Sequence, residues 1–277
     1  MGTKHMNLFF PQWQGAGSKE LLDCAREIKG KYIKDEYNFI EIPVDDEDVN
    51  EVINNIFGYD KILQQLKYAN MLVSEHKPNT IFTVGGGCDV ELIPVSYLNY
   101  KLKGDMSVIW LDAHGDLNTP ESSPSKLFHG MPLRALLGDG DEDIVNTAFS
   151  KLSTSQLVLI GQRDLDEPEK DYIDEHEIDL ISVEEVSLSI DNIIERIKSK
   201  GSRNIYIHID LDVLDLKEFP YVMVPSPNGL KTKVFIDLIY QLKSNFKVVG
   251  LSLLEYASST ENEQELLSEI ICLGSYI

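Results

Sequence analysis

Short apolar runs alternate with longer amphipathic stretches along most of the chain. Asn7-Leu8-Phe9-Phe10 predicts a first strand; Ser18 then caps a helix whose Leu21, Leu22, Ala25 and Ile28 share a face until Gly30 stops it. Residues 38–42 form a second strand. From Tyr59 to His76, Ile62, Leu63, Leu66, Ala69 and Val73 make one apolar stripe, ended by Pro78-Asn79. Further strands are predicted at Thr80–Val84, Met106–Leu111, Gln156–Ile160, 180–182, Asn204–Ile209 and Val248–Leu253. Helices are predicted through Leu133 and Leu137, over Ile190–Ile197 and Lys231–Leu242, and from Glu263 to Cys272.

Strands that alternate with helical patterns imply a mainly parallel sheet covered on both faces, an α/β fold. Polar clusters follow the strands on their C-terminal side, at Cys88, Asp112, Asp166, Asp210 and Glu255, where open α/β sheets build their sites. With no repeat or linker, residues 6–277 read as one domain. Residues 1–5 read as a vector-derived scar before Met6.

Composition narrows the partners. A formal charge of -21 argues against nucleic acid and anionic membranes, whose phosphates need clustered Lys and Arg. It suits a small cationic substrate, although acidic surfaces more commonly serve solubility. Three scattered cysteines predict no disulfide framework and a cytoplasmic setting.

The strongest chemical signal is Asp112-Ala113-His114-Gly115-Asp116. On extended backbone, residues 112, 114 and 116 share one face and present carboxylate, imidazole and carboxylate together. Alone, such a stretch is equally a turn with Asx caps. Asp210-Leu211-Asp212 at a second strand end tips the balance toward metal, because carboxylates gathered there repel one another without a cation. Two divalent ions sharing a water would lower its pKa enough to make a hydrolase. His129, in the loop after the triplet, is a candidate proton carrier to a leaving amine, or simply a solvated histidine.

Together with His129-Gly130-Met131-Pro132, Leu254-Glu255 and the stretch Ile160 to Asp166, these motifs resemble the ureohydrolase family of arginases, agmatinases and formiminoglutamases, from about Ile81 to the end of the chain. The resemblance implies a three-layer α/β/α sandwich with an eight-stranded, mainly parallel sheet. It also implies two divalent ions, Mn(II) foremost, whose bridging hydroxide hydrolyses a guanidino or formimino C–N bond of a small cationic substrate. Carried over by position, Asp112 and Asp210 would bridge both ions, His114 and Asp212 complete one site, and Asp116 serve the other. His129 matches the family's proton shuttle and Glu255 its guanidinium-binding carboxylate. Asn118, Ser125 and Asp166 fall where arginases hold the amino-acid end of arginine. A homo-oligomer, trimeric or hexameric, is the family's usual assembly.

Several positions depart from that pattern. The family's Gly-Gly-Asp-His-Ser turn reads Gly85-Gly86-Gly87-Cys88-Asp89 here, so Cys88 occupies a ligand position. A thiolate ligand would favour Zn(II), Co(II) or Ni(II) over Mn(II); alternatively Cys88 is a small buried residue with no bond to metal. His208 replaces a usual Ser and is either a support for a ligand carboxylate or, more commonly, a core histidine satisfied by its neighbours. Val224 stands for a hydroxyl residue near the substrate, Leu216 for a Pro and Ser252 for an Asp. Two functions follow as expectations: a metal-dependent hydrolase of linear amidines, or a catalytically impaired binding or subunit protein with an altered first metal site.

Overall fold

The computed structural model describes residues 4–257 and 264–277. Its strands are β1 (His5–Phe10), β2 (Ile40–Glu41), β3 (Val52–Ile53), β4 (Ile56–Phe57), β5 (Thr80–Gly85), β6 (Ser107–Leu111), β7 (Leu157–Ile160), β8 (Asp179–Ile181), β9 (Asn204–Ile209) and β10 (Lys247–Leu253). The helices are α1 (Lys19–Tyr32), α2 (Tyr59–His76), α3 (Leu92–Leu102), α4 (Pro132–Leu136), α5 (Glu142–Val145), α6 (Glu167–Glu175), α7 (Val183–Leu188), α8 (Ile190–Lys198), α9 (Thr232–Asn245) and α10 (Glu265–Gly274).

Eight strands form one sheet in the order β2-β1-β5-β10-β9-β6-β7-β8, and every pairing in it is parallel. Strand side chains alternate between two separate cores. In β6, Ile109 and Leu111 pack with α1, α8, α9 and α10, whereas Val108 and Trp110 pack with α2, α3 and α4. This is the expected three-layer sandwich, and both sheet faces are dry because helices cover each.

Most predicted elements fall within two residues of their observed ends. The second strand shrinks to two residues, because only Ile40 and Glu41 pair with β1. The α1 helix runs past Gly30 to Tyr32. The predicted start of the last helix at Glu263 lies outside the described residues, and α10 begins at Glu265. Among the described residues no helix is long and apolar enough to cross a membrane.

Strand order positions the site. The chain leaves β5, crosses two strand positions to β6, and later returns through β9 and β10 to fill the gap. The C-terminal ends of β5, β10, β9 and β6 therefore lie side by side, the crevice where such sheets bind ligands. The turn after β5 is pressed against the β1 exit: Gly86 N donates to Phe10 O at 2.9 Å and Gly87 N to Gln12 O at 3.1 Å. A Cβ on Gly86 would lie 1.6 Å from Gln12 O, backbone that cannot yield, so glycine is required there.

Gly86→Ala should accordingly cost ~3 kcal/mol or more of stability, seen as a lower urea midpoint with an unchanged slope. A variant with the wild-type midpoint would contradict this account of the turn.

Candidate metal centre

Sheet hydrogen bonding continues past the strands and carries the functional residues with it. Asp112 N donates to Ile160 O (3.2 Å), Asp210 N to Leu111 O (2.9 Å) and Glu255 N to Gly86 O (3.0 Å). Each carboxylate thus hangs from a backbone that a neighbouring strand holds. Asp116 and Glu255 adopt left-handed φ values of 53° and 60°. Non-glycine residues pay for that conformation, and here it turns both carboxyl groups inward.

Three overlapping groups of donor atoms result, each with all its atoms within 4.8 Å of one another: Cys88, Asp112, Asp116 and His208; Cys88, Asp210 and Glu255; and Asp112, His114 and Asp212. His114 Nδ1 lies 2.8 Å from Asp212 Oδ2 and 3.6 Å from Asp112 Oδ1. Cys88 Sγ donates to Asp210 Oδ2 at 3.3 Å. Glu255 Oε1 accepts from Cys88 N at 3.0 Å and lies 3.1 Å from His129 Nδ1.

The electrostatics follow from crowding. Burial, then the neighbouring Asp212, pushes the Asp210 carboxyl well above its ordinary range; burial and Asp112 do the same to Asp116. Asp212 is pushed up to about 6 by burial and Asp112. Burial, then Asp210, also raises the Cys88 thiol. Burial opposes charge on His129, but Glu255 more than offsets it and the imidazole pKa rises. Asp116 Oδ2 and Glu255 Oε2 are buried without a hydrogen-bond partner among the described residues. Oxygen-rich, underpartnered and repulsive, this donor set fits divalent cations.

A cavity of about 310 Å³ opens onto the cluster. Asn118, Ser125 and Asp166 line its outer part with Val224, while His129 and Glu255 line it beside the donors. Asn118 Nδ2 donates to Asp166 Oδ2 at 2.9 Å, and Ser125 Oγ sits 3.3 Å from Ser123 Oγ. All eleven candidate site positions, from Cys88 to Glu255, thus fall around one crevice; Asp112 lies behind the cavity wall, wholly buried.

Other residues support the site without a motif that assigns them a role. Glu169, on α6, accepts from Leu117 N (3.0 Å) and Asp166 N (2.9 Å) and so ties the ligand loop to the cavity rim. Asp89 is buried against Gly15 and Gly87, its carboxyl pushed up to about 7 by burial and Glu255. Glu91 is wholly buried behind the cluster. The signal for Asp89 and Glu91 was their place in an otherwise apolar stretch next to a glycine turn. Arg163 donates to the carbonyls of Asp212 (2.7 Å), Ser226 (3.0 Å) and Pro227 (2.8 Å), joining three segments around the Asp212 loop.

Fold and site together define a class: a metal-binding hydrolase built on a three-layer α/β/α sandwich. The Arginase family model matches residues 14–272. The arginase of Staphylococcus aureus strain MRSA252 is 35% identical over 225 residues, 76% of this chain and 72% of that protein. The chain belongs to the arginase family. In structure it is similar to an Entamoeba histolytica arginase crystallised with L-ornithine (TM-score 0.87, 20% identity, 99% of each chain). It is similar also to the Bacillus caldovelox arginase (TM-score 0.82, 22% identity, 99% of this chain and 97% of that one).

If mutual repulsion is the defect a cation repairs, Asp210→Asn should leave the metal-free protein at least as stable as wild type. Mn(II) should stabilise wild type by about 2.7 kcal/mol at roughly 100-fold excess over Kd, and the variant much less. Thermal melts with and without metal check both halves; a metal-free variant that melts well below wild type would refute the repulsion argument.

Proposed function

We propose that this chain hydrolyses the guanidino C–N bond of arginine or a close amino-acid analogue. The observation that carries the reading is the placement of Glu255 and His129 in contact with each other at the mouth of the donor cluster, inside a cavity of substrate size. When bound, a pair of divalent ions, Mn(II) or a softer ion, supplies electrostatic stabilisation and acidifies water near neutral pH. Asp112, His114, Asp116, Asp210 and Asp212 would hold them, with Cys88 as a sixth donor.

The remaining chemistry belongs to the side chains. Glu255 keeps one oxygen on Cys88 N and His129, and its free Oε2 is the natural partner of a guanidinium cation. His129 has Nδ1 fixed by Glu255, which leaves Nε2 as the ring's proton-transfer atom for the departing amine. Asn118, Ser125 and Asp166 supply an amide, a hydroxyl and a carboxylate on the outer wall, suited to the carboxylate and ammonium of an amino acid. The L-ornithine found in the Entamoeba arginase supports an amino-acid substrate over agmatine or a formimino compound. A trimeric or hexameric assembly belongs to the same reading.

A second reading, a relative that binds without turnover, draws on Cys88. Burial and Asp210 keep its thiol neutral in the absence of a cation, which would weaken one ion site. Elemental analysis separates the two, since two tightly held ions per chain exclude the impaired form.

Urea release from L-arginine should exceed that from agmatine when Mn(II), Co(II), Zn(II) or Ni(II) is supplied. His129→Asn should lower kcat by roughly 10²–10⁴-fold with a smaller effect on KM. No turnover with any of these metals would overturn the proposal.

A further inference from the structure

His208 is wholly buried on β9, and its ring is fixed from three directions. One face stacks on Trp110, with ring centroids 3.6 Å apart and planes 14° from parallel. Nδ1 points away from the cluster, 3.4 Å from Ser252 Oγ and 3.8 Å from Glu91 Oε2. Nε2 points into it, 3.5 Å from Cys88 Sγ and 3.6 Å from Asp112 Oδ2.

Glu91 provides the independent observation. It is wholly buried, and neither of its oxygens has a hydrogen-bond partner among the described residues. A buried carboxylate costs several kcal/mol unless polar groups answer it, and the groups facing this one are the His208 ring and the Tyr206 hydroxyl. A carboxylate behind one imidazole nitrogen, with the other turned toward thiol and carboxylate donors, is how proteins fix a histidine's tautomer for metal binding. The hydrogen then resides on Nδ1, and the Nε2 lone pair faces the cluster.

We infer that His208 ligates the cation held by Cys88, Asp112 and Asp116, with Glu91 and Ser252 as positioning residues behind it. The turn after β5 offers sulfur where an imidazole is expected, and β9 supplies an imidazole to the same pocket from another direction. The resulting donor set of thiolate, imidazole and two carboxylates suits Zn(II), Co(II) or Cd(II) better than Mn(II). This deepens the metal-dependent reading above and rests on it only in requiring that a divalent cation bind.

Cadmium NMR on protein carrying nitrogen-labelled histidine tests the assignment without a variant. Of six histidines, two should show cadmium-to-nitrogen coupling, His114 and His208. His208→Asn should abolish one coupling and weaken binding of one ion by about 100-fold, and Glu91→Gln should weaken it by about 10-fold with the coupling retained. Melting of the metal-free variants reports folding separately. In the cobalt-loaded protein, Cys88→Ser should remove the thiolate charge-transfer band while the His208 coupling to cadmium persists. Full cadmium uptake with His208 unshifted would overturn the ligand assignment alone. Failure of the wild type to take up cadmium, cobalt or manganese would overturn it together with the metal-dependent reading.

Discussion

Like charges held together by backbone are the constraint on which this molecule turns. Asp112, Asp210 and Glu255 each donate a main-chain N–H into the structure beside them, so the sheet extends to the residues whose side chains repel. None can retreat without breaking a ladder hydrogen bond, and all are at least 96% buried. Like charges in a dry crevice interact far more strongly than in water, and the raised Asp116 and Asp210 carboxyl groups register that cost. A site built this way has poor stability when empty of cations and high affinity for them, two aspects of the same free energy.

The surroundings hold this arrangement in register. Gly85 and Gly86 let the β5 exit lie directly on the β1 exit, which brings the Cys88 turn to the edge of the cluster. Arg163 ties the Asp212 loop to the segment at Ser226 and Pro227, and Glu169 ties the Asp116 loop to α6. Neither acts on a substrate directly. They stop loops from relaxing outward under the repulsion, and a cavity wall that is rigid on the ångström scale is what positioning chemistry demands.

How far the sequence alone reveals this differs between levels. Apolar strands such as Met106–Leu111 declare themselves because both faces of a parallel sheet are buried, and an aspartate immediately after such a run marks the strand end. The α3 helix escaped notice because Leu92, Ile93, Val95 and Leu98 are buried alongside Ser96 and Asn99, which leaves no polar face to give a period. The β3–β4 hairpin has two residues per strand, too few for any alternation. At the site, residues in one motif were legible and residues joined across motifs were not. Asp112, His114 and Asp116 share a single strand end, whereas Glu91 and His208 meet only because β9 inserts two positions from β5. A core histidine and a metal ligand share the burial and stacking of His208; the directions of its two nitrogens are what separate the roles.

Asp112 explains how the two halves of the cluster can differ. Its Oδ1 accepts from His114 N at 2.6 Å and faces the His114–Asp212 group, while its Oδ2 accepts from Trp110 Nε1 at 3.2 Å and faces His208. A carboxylate that spans two groups couples them electrostatically yet lets each keep its own donors. The outer group has oxygen donors and an imidazole that is 25% exposed toward the cavity, so it can exchange ligands with water and substrate. Cys88 Sγ sits at the inner end beside His208, nearly buried at the floor of the cavity. Soft-donor chemistry can therefore change the preferred ion of the inner half while the His114–Asp212 group keeps its geometry. Exchange of one ligand at the Cys88 turn need not propagate to the His114–Asp212 group, because Asp112, a donor shared between them, is fixed by its own backbone; Glu255, whose Oε1 accepts from Cys88 N, is the residue such an exchange would reach first.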